Sequence, residues 1–169
     1  MHRLLAKDAI LQTVYNMNYA EDELDEQLMR SCFIPDQNII LDNSSHLPQP
    51  PMSISPDQWW EMLMQALSGF TATQHALFNP VITFSDEELT QVHLKANVLA
   101  YHCIQEIEGG RVEEVSARGL QEIDLVLWQG QWMIVKVETK RSVPLDMALY
   151  EKAALRAREG KGRNAKVQA

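Results

Sequence analysis

The chain has 169 residues, 46% of them hydrophobic, which suits one domain with a sizeable core. Its longest apolar runs fall far short of the ~20 residues of a membrane span, and the N-terminal MHRLLAKDAILQ lacks the apolar stretch and small-residue cleavage site of a signal peptide. A soluble, cytoplasmic protein is expected. A net charge of −8 argues against a nucleic-acid partner, since phosphate binding needs a basic face. Cys32 and Cys103 have no CxxC spacing and read as buried apolar residues.

In chain order, Leu4, Ile10, Leu11, Val14, Tyr15 and Tyr19 recur at three-and-four spacing, predicting a helix through about Tyr19. Asp22 can cap a second helix to Cys32, with Leu24, Leu28 and Met29 as its apolar stripe. A short strand follows over residues 38–41. Residues 43–57 hold four prolines and four serines, and are expected to be an irregular loop at a cavity mouth. Ser55-Pro56-Asp57 opens a further helix, whose buried face carries Trp59, Met62, Leu63, Ala66, Leu67 and Phe70. The adjacent Trp59 and Trp60 cannot point the same way on it.

Extended segments follow over roughly 72–84, 90–107, 114–128 and 131–140. Gly109-Gly110 and Gln129-Gly130 form the last two turns. Residues 144–157 read as a helix, and beyond Glu159 there is no apolar pattern. From Lys152 onward six basic residues face Glu159 alone, so a basic tail that folds back or stays solvated follows an acidic body. The expected division is one domain over 1–143, a helix over 144–158 packed on or near it, and a flexible tail over 159–169.

TQHALFNP at 73–80 starts a strand with His75 between polar residues, which makes it the leading candidate for chemistry if that strand lines a pocket. On the next strand, period-two alternation puts Val92, Leu94, Ala96, Val98, Ala100, His102 and Ile104 on one face. His102 is the polar exception on that apolar surface. On the strand after, composition favours Gln121, Ile123, Leu125 and Leu127 as the core face over Glu122 and Asp124. A lone buried histidine is often only a ring bonded to backbone. Two on neighbouring strands, with a carboxylate nearby, are the arrangement that tunes acid–base chemistry near neutral pH. No GxGxxG, P-loop or GxSxG motif is present, and His75 and His102 lack a third ligand at metal-site spacing, so neither cofactor nor metal is expected.

The order of helices, His75 strand, two long strands and a Gly-turn-Trp hairpin at GQWMIV resembles the NTF2-like fold and its SnoaL-like branch over roughly residues 5–140. The resemblance implies an α+β cone, a curved mixed or antiparallel sheet wrapped around N-terminal helices and enclosing a pocket. Thr71-Ala72-Thr73-Gln74-His75 is similar to the histidine strand of scytalone dehydratase, His102 to its second histidine and Tyr19 to its helix-end tyrosine. An acid at the helix junction is also implied, with Glu21 or Asp22 in the place where Tyr19 is followed by Ala20. The later strand would aim Asp124, with Glu122 as partner, into the cavity; Asp42 stands nearest to a tyrosine of the early strand.

The resemblance implies a cofactor-independent lyase or isomerase, a dehydratase, cyclase or double-bond isomerase, acting on a cyclic polyketide- or terpenoid-like molecule. His75 and His102 would be the acid–base pair, Asp124 would orient one ring, and Tyr19 would hold a carbonyl oxygen. Trp59, Trp60, Met62, Phe70 and Phe78 would form the apolar walls, with Asp22, Asp42 and Glu122 as further substrate contacts. The alternative is a non-catalytic ligand-binding or accessory subunit, like the small subunit of ring-hydroxylating dioxygenases. An outer sheet face carrying Asn97, Tyr101, Ile123 and Leu125 would favour a homodimer or homotrimer.

Overall fold

The computed structural model describes residues 3–107, 109–144 and 146–164. The elements are α1 (Arg3–Glu23), α2 (Glu26–Ser31), β1 (Ile39–Asp42), β2 (Met52–Ile54), α3 (Pro56–Leu67), β3 (Ala72–Phe84), β4 (Gln91–Ile104), β5 (Glu113–Trp128), β6 (Gln131–Arg141) and α4 (Ala148–Arg158). The strands make one curved, unclosed α+β sheet in the order β2-β1-β6-β5-β4-β3. All neighbours are antiparallel except β1 and β6. Among the described residues no helix is long and apolar enough to cross a membrane.

Local chemistry explains the turns. Gln129 and Gly130 both have positive φ, 49° and 83°, as a two-residue hairpin that matches strand twist requires. β3 is an edge strand and tolerates Pro80; Asn79 at φ 53° makes the accompanying register shift between Phe78 and Val81. Ser55 and Gln58 form a reciprocal capping box at the start of α3, with Pro56 in its first turn.

Two expectations about local structure need correction. α1 does not stop at Tyr19 but runs through Glu23, and α2 is capped by Asp25, whose carboxylate accepts from the Leu28 N–H at 2.9 Å. Leu24, at φ 53°, makes the reversal between the helices. Asp22 is therefore no cap: it lies in the last turn of α1, with its side chain available to the sheet. The proline-rich 43–57 segment is not wholly irregular either. Its proline-free Met52–Ile54 pairs with β1, Ile39 opposite Ile54, and covers that strand's open edge.

The core lies between α1 and the inner sheet face. α1 buries Ala6, Ile10, Val14, Met17 and Ala20; the sheet contributes Val92, Leu94, Ala96, Ile123, Leu125, Ile134 and Val137. The alternation read on β4 is the observed one. On β5 the composition reading holds and the resemblance misplaces the strand: Ile123 and Leu125 are fully buried, whereas Glu122 and Asp124 face outward. Cross-strand register sets His93 opposite Asp124 and Lys95 opposite Glu122. The outer face is thus a charged ladder, with His93 Nδ1 2.7 Å from Asp124 and Lys140 3.1 Å from Glu122. Such exposed pairs contribute at most about 1 kcal/mol each. The apolar outer face expected to drive self-association is absent, because Ile123 and Leu125 belong to the core.

α4 packs on α3 and on the β4–β5 end of the sheet. Lys152 bridges Glu106 at 3.1 Å and Glu113 at 2.6 Å, and Arg156 Nε donates to the Gly69 carbonyl at 2.9 Å. Gly69 has no room for a Cβ, which would collide with the Ala153 backbone carbonyl. Gly69→Ala is expected to lower stability by about 1–3 kcal/mol, the usual range for overpacking, measured by denaturant unfolding. Unchanged stability would mean that α4 does not dock at this site.

Candidate active site

The end of α1, β3, β4 and α4 converge on a cavity of about 310 Å³ between the helices and the inner sheet face. Leu41, Trp59, Met62, Leu63, Leu67, Val98 and Val137 supply much of its apolar wall. Ser45 Oγ donates to the Thr139 carbonyl at 2.8 Å, which fixes the loop after β1 and brings Asn43, His46 and Leu47 to the same cavity.

Strand register unites the two histidines. Thr73 lies opposite His102, and His75 opposite Ala100, so both rings project from the inner face as diagonal neighbours. Their centroids are 5.3 Å apart and the rings are edge-on. Asp22 holds His75 at two points. One carboxylate oxygen accepts from the His75 backbone N–H at 2.8 Å, and the other lies 2.7 Å from Nδ1. With Nδ1–H donating to Asp22, Nε2 is left as the basic nitrogen, 3.6 Å from a Glu21 carboxyl oxygen.

Burial and charge set the protonation of this group. Burial alone would lower the His75 pKa, but Glu21 and the Asp22 hydrogen bond and charge outweigh it and hold it above its ordinary value. Burial likewise opposes ionisation of Asp22, yet its bonds to His75 keep it below the usual carboxylate range. Glu21 goes the other way: burial raises its pKa, and the His75 charge offsets this only in part. The site therefore holds two neighbouring carboxyl groups shifted in opposite directions, Asp22 down and Glu21 up.

His102 is 2% exposed and packs against Phe70 at 4.9 Å and Tyr150 at 5.0 Å between ring centroids. Burial, reinforced by the His75 charge, pushes its pKa down to about 3, so the ring is neutral. Burial pushes Tyr150 up to about 12. The phenol keeps its proton, and its oxygen is hydrogen-bonded to His102 Nδ1, 3.1 Å away. Gln121 reaches the cavity from β5, with its buried Oε1 lacking a partner among the described residues.

Of the expected site residues, His75, His102, Trp59 and Met62 line the cavity, and Asp22 is bonded to His75 from behind. Trp60 and Phe70 are buried in the core behind the wall. The other candidates lie elsewhere. Tyr19 is 60% exposed, because the buried stripe of α1 passes through Met17, Asn18 and Ala20 and leaves it outside. Asp124 and Glu122 are on the outer face, paired with His93 and Lys140. Asp42 turns away from the cavity and accepts from Ser44 at 2.7 Å, and Phe78 is 48% exposed on the outer side of β3.

Gln121 and Tyr150 were not singled out by sequence, and Glu21 only as one option for the acid at the helix junction. Two carried a signal: Glu21 continues the Val14-Met17 stripe at helical spacing, and Gln121 belongs to the face that composition favoured on β5. Tyr150 had none, since nothing local tells that α4 folds back over the cavity. Among the described residues no group of three or more His, Cys, Asp or Glu side chains is placed to hold a metal ion.

The family model described as a SnoaL-like domain matches residues 2–138, and the chain belongs to that family, within the NTF2-like fold. No curated protein matches it in sequence. Among solved structures, the Kfla4162 protein of Kribbella flavida is 20% identical, with a TM-score of 0.75, over 89% of this chain and 98% of its own. A candidate scytalone dehydratase from Novosphingobium aromaticivorans is 21% identical, TM-score 0.64, over 83% and 87%. The hexachlorocyclohexane dehydrochlorinase LinA-type3 of Novosphingobium barchaimii is 14% identical, TM-score 0.66, over 86% and 93%. At these identities the likeness establishes the fold alone.

The depressed His102 pKa has a consequence for stability. In the unfolded chain the ring takes a proton as pH falls below about 6.5, whereas in the folded protein it stays neutral until about pH 3. Folding stability therefore falls with acidification by about 1.4 kcal/mol per pH unit from this group alone. Denaturant unfolding at pH about 6 and about 4 is expected to show a smaller acid loss for His102→Gln than for wild type. Equal losses would mean that His102 is protonated in the folded state.

Proposed function

We propose that the protein is a cofactor-independent lyase or isomerase that uses His75 as its general base. The observation that carries this reading is the Asp22–His75 pair, with Nε2 directed away from the carboxylate that fixes Nδ1 and the ring on the wall of an apolar cavity. Asp22 fixes the tautomer and stabilises the imidazolium that forms when Nε2 removes a proton beside a carbonyl or a leaving group. Glu21, which burial inclines to keep its proton, is the acid candidate that returns one to the departing oxygen or to the dienol. This changes the roles first assigned. His102, neutral and bonded to Tyr150, positions and shapes the cavity rather than acting as the acid, and the Gln121 amide is the group suited to orient a substrate oxygen.

The walls suit a cyclic, largely apolar molecule with few oxygens, for which polyketide- or terpenoid-like ketones and alcohols are the substrate class we propose. Dehydration, ring closure and double-bond shift all need the same first proton transfer. The solved structures of this fold named as a candidate dehydratase and as a dehydrochlorinase describe eliminations, which also begin at a C–H bond.

The test is turnover of a panel of cyclic hydroxyketones and unsaturated ketones, followed by the absorbance of conjugated product. His75→Gln is expected to reduce kcat/KM by about 10²–10⁴, the usual worth of a general base. Because the base must be neutral and the acid protonated, the rate should rise with pH as His75 loses its proton and fall again as Glu21 loses its own. Asp22→Asn, which removes the stabilising charge, should move the rise to lower pH. An active His75→Gln enzyme would take the ring out of the mechanism. If the panel binds unchanged and no member reacts, the accessory or ligand-carrier reading takes over.

We also propose a homodimer or homotrimer, now resting on Phe78 and Val81, which are 48% and 61% exposed together on the outer side of β3. A monomeric mass by light scattering would overturn that assembly.

A further inference from the structure

The last described residues, outside the 2–138 span of the family domain, return to the site. α4 ends in a paired set of reversed hydrogen bonds: Gly160 N–H donates to the Ala157 carbonyl at 3.1 Å, and Lys161 N–H to that of Arg156 at 2.9 Å. Gly160, at φ 70°, supplies the left-handed residue this ending needs. The chain then passes so close to Ser68 that a Cβ on Gly162 would come within 2.8 Å of its carbonyl oxygen. Arg163 N–H donates to that same carbonyl at 2.6 Å. Residues 159–164, the start of the tail expected to be flexible, are thus steered and tied by successive backbone contacts, and 165–169 lie outside the described residues.

These contacts deliver the Arg163 guanidinium to the back of the Asp22–His75 pair. Nη1 donates to the Asp22 backbone carbonyl at 2.6 Å; Nη2 reaches the Leu67 carbonyl and Thr73 Oγ1, each at 3.3 Å. The Thr73 hydroxyl in turn helps to hold the Asp22 pKa down. One guanidinium therefore holds both supports of the pair, the last turn of α1 that carries Asp22 and the β3 residue two positions before His75. The setting also answers a deficit in α1. Its last turn carries Glu21, Asp22 and Glu23 and no basic residue, against the preference of a helix C-terminus for positive charge.

We propose that Arg163 is a positioning residue for His75: through Thr73 and the Asp22 carbonyl it fixes the Asp22 carboxylate against Nδ1 and so selects the tautomer that leaves Nε2 free. The inference uses the base assigned to His75 above, but its test does not read turnover. The charged or titratable groups facing His75 are Glu21 and Asp22 of α1, His102 of β4 and Arg163 itself.

The experiment is nitrogen-detected NMR titration of the histidine side chains in the full chain, with His75 assigned by its loss in His75→Gln. Wild type is expected to show one Nδ1–H tautomer and a midpoint above the ordinary histidine value. Arg163→Met should give mixed tautomers and a midpoint that drops toward the ordinary value, and Arg163→Lys should restore these only in part, since an ammonium cannot fork between the carbonyl and Thr73. Gly162→Ala, which keeps the arginine but displaces its backbone, should reproduce the mixed tautomers. An unchanged tautomer and midpoint in Arg163→Met, even with lower thermal stability, would overturn the proposal. So would a raised midpoint with the tautomer intact, which would make the arginine only a nearby charge. Inactivity of His75→Gln, or its absence, bears on the general base and not on this result.

Discussion

The site depends on one carboxylate doing two jobs. Asp22 accepts from the His75 backbone N–H and from the His75 ring, so the same group that docks the end of α1 onto β3 also orients the imidazole. Such a group has no conformational freedom to spare. The helix must continue through Asp22 for its side chain to reach the strand, and Leu24 must reverse immediately afterwards so that Asp25 can start α2. The carboxylate is satisfied at both oxygens by charged or polar donors, which is what keeps a buried anion from being a large liability. Geometry and charge state are therefore consequences of the same contacts.

The surrounding groups divide by what burial does to them. Asp22 and His75 stabilise each other's charged forms, whereas Glu21 has no donor of comparable strength and is driven toward neutrality. His102, one register step away, has a phenol rather than a carboxylate for a neighbour and is neutral as well. Within one corner, Asp22 and His75 are thus shifted toward their charged forms, and Glu21 and His102 toward their neutral ones. A cavity bordered in this way offers an uncharged, mostly apolar molecule few unpaired charges to bury. Pairs of titratable groups whose environments push them apart are the usual mark of assigned acid and base roles.

Much of this was legible in the sequence, and the parts that were not have physical reasons. Long strands bounded by turn residues fix their own limits, so β3 to β6 could be read directly, and alternation on β4 gave the inward direction of His102, whereas His75 was a candidate only if its strand lined a pocket. Helix ends are harder, because Ala20-Glu21-Asp22-Glu23 contains residues that cap as readily as they continue. The choice between Asp22 and Asp25 rests on a single left-handed residue that propensity does not announce. On β5 the alternation itself gave the right face. The error came from letting a distant likeness outweigh it: Asp124 and Glu122 satisfy His93 and the Lys95 and Lys140 ammonium groups on the outside, whereas inside they would have faced Leu94 and Ala96 with nothing to pair with. A one-residue slip in a strand exchanges every side chain between faces, so period-two hydrophobicity constrains such an assignment more tightly than similarity of a few polar residues.

What the family domain does not contain is as instructive. Tyr150, which bonds His102 and closes part of the cavity, lies beyond residue 138, on a helix that reaches the site only because Gly69 lets its backbone pass against Ala153. Without that helix His102 would lose its phenol and the cavity would open at that corner. The sheet thus frames a pocket whose shape and polarity also depend on residues that the helices bring to it. That is why the fold, shared with many solved structures at low identity, fixes where a cavity forms, whereas the side chains that converge on it decide what it can hold.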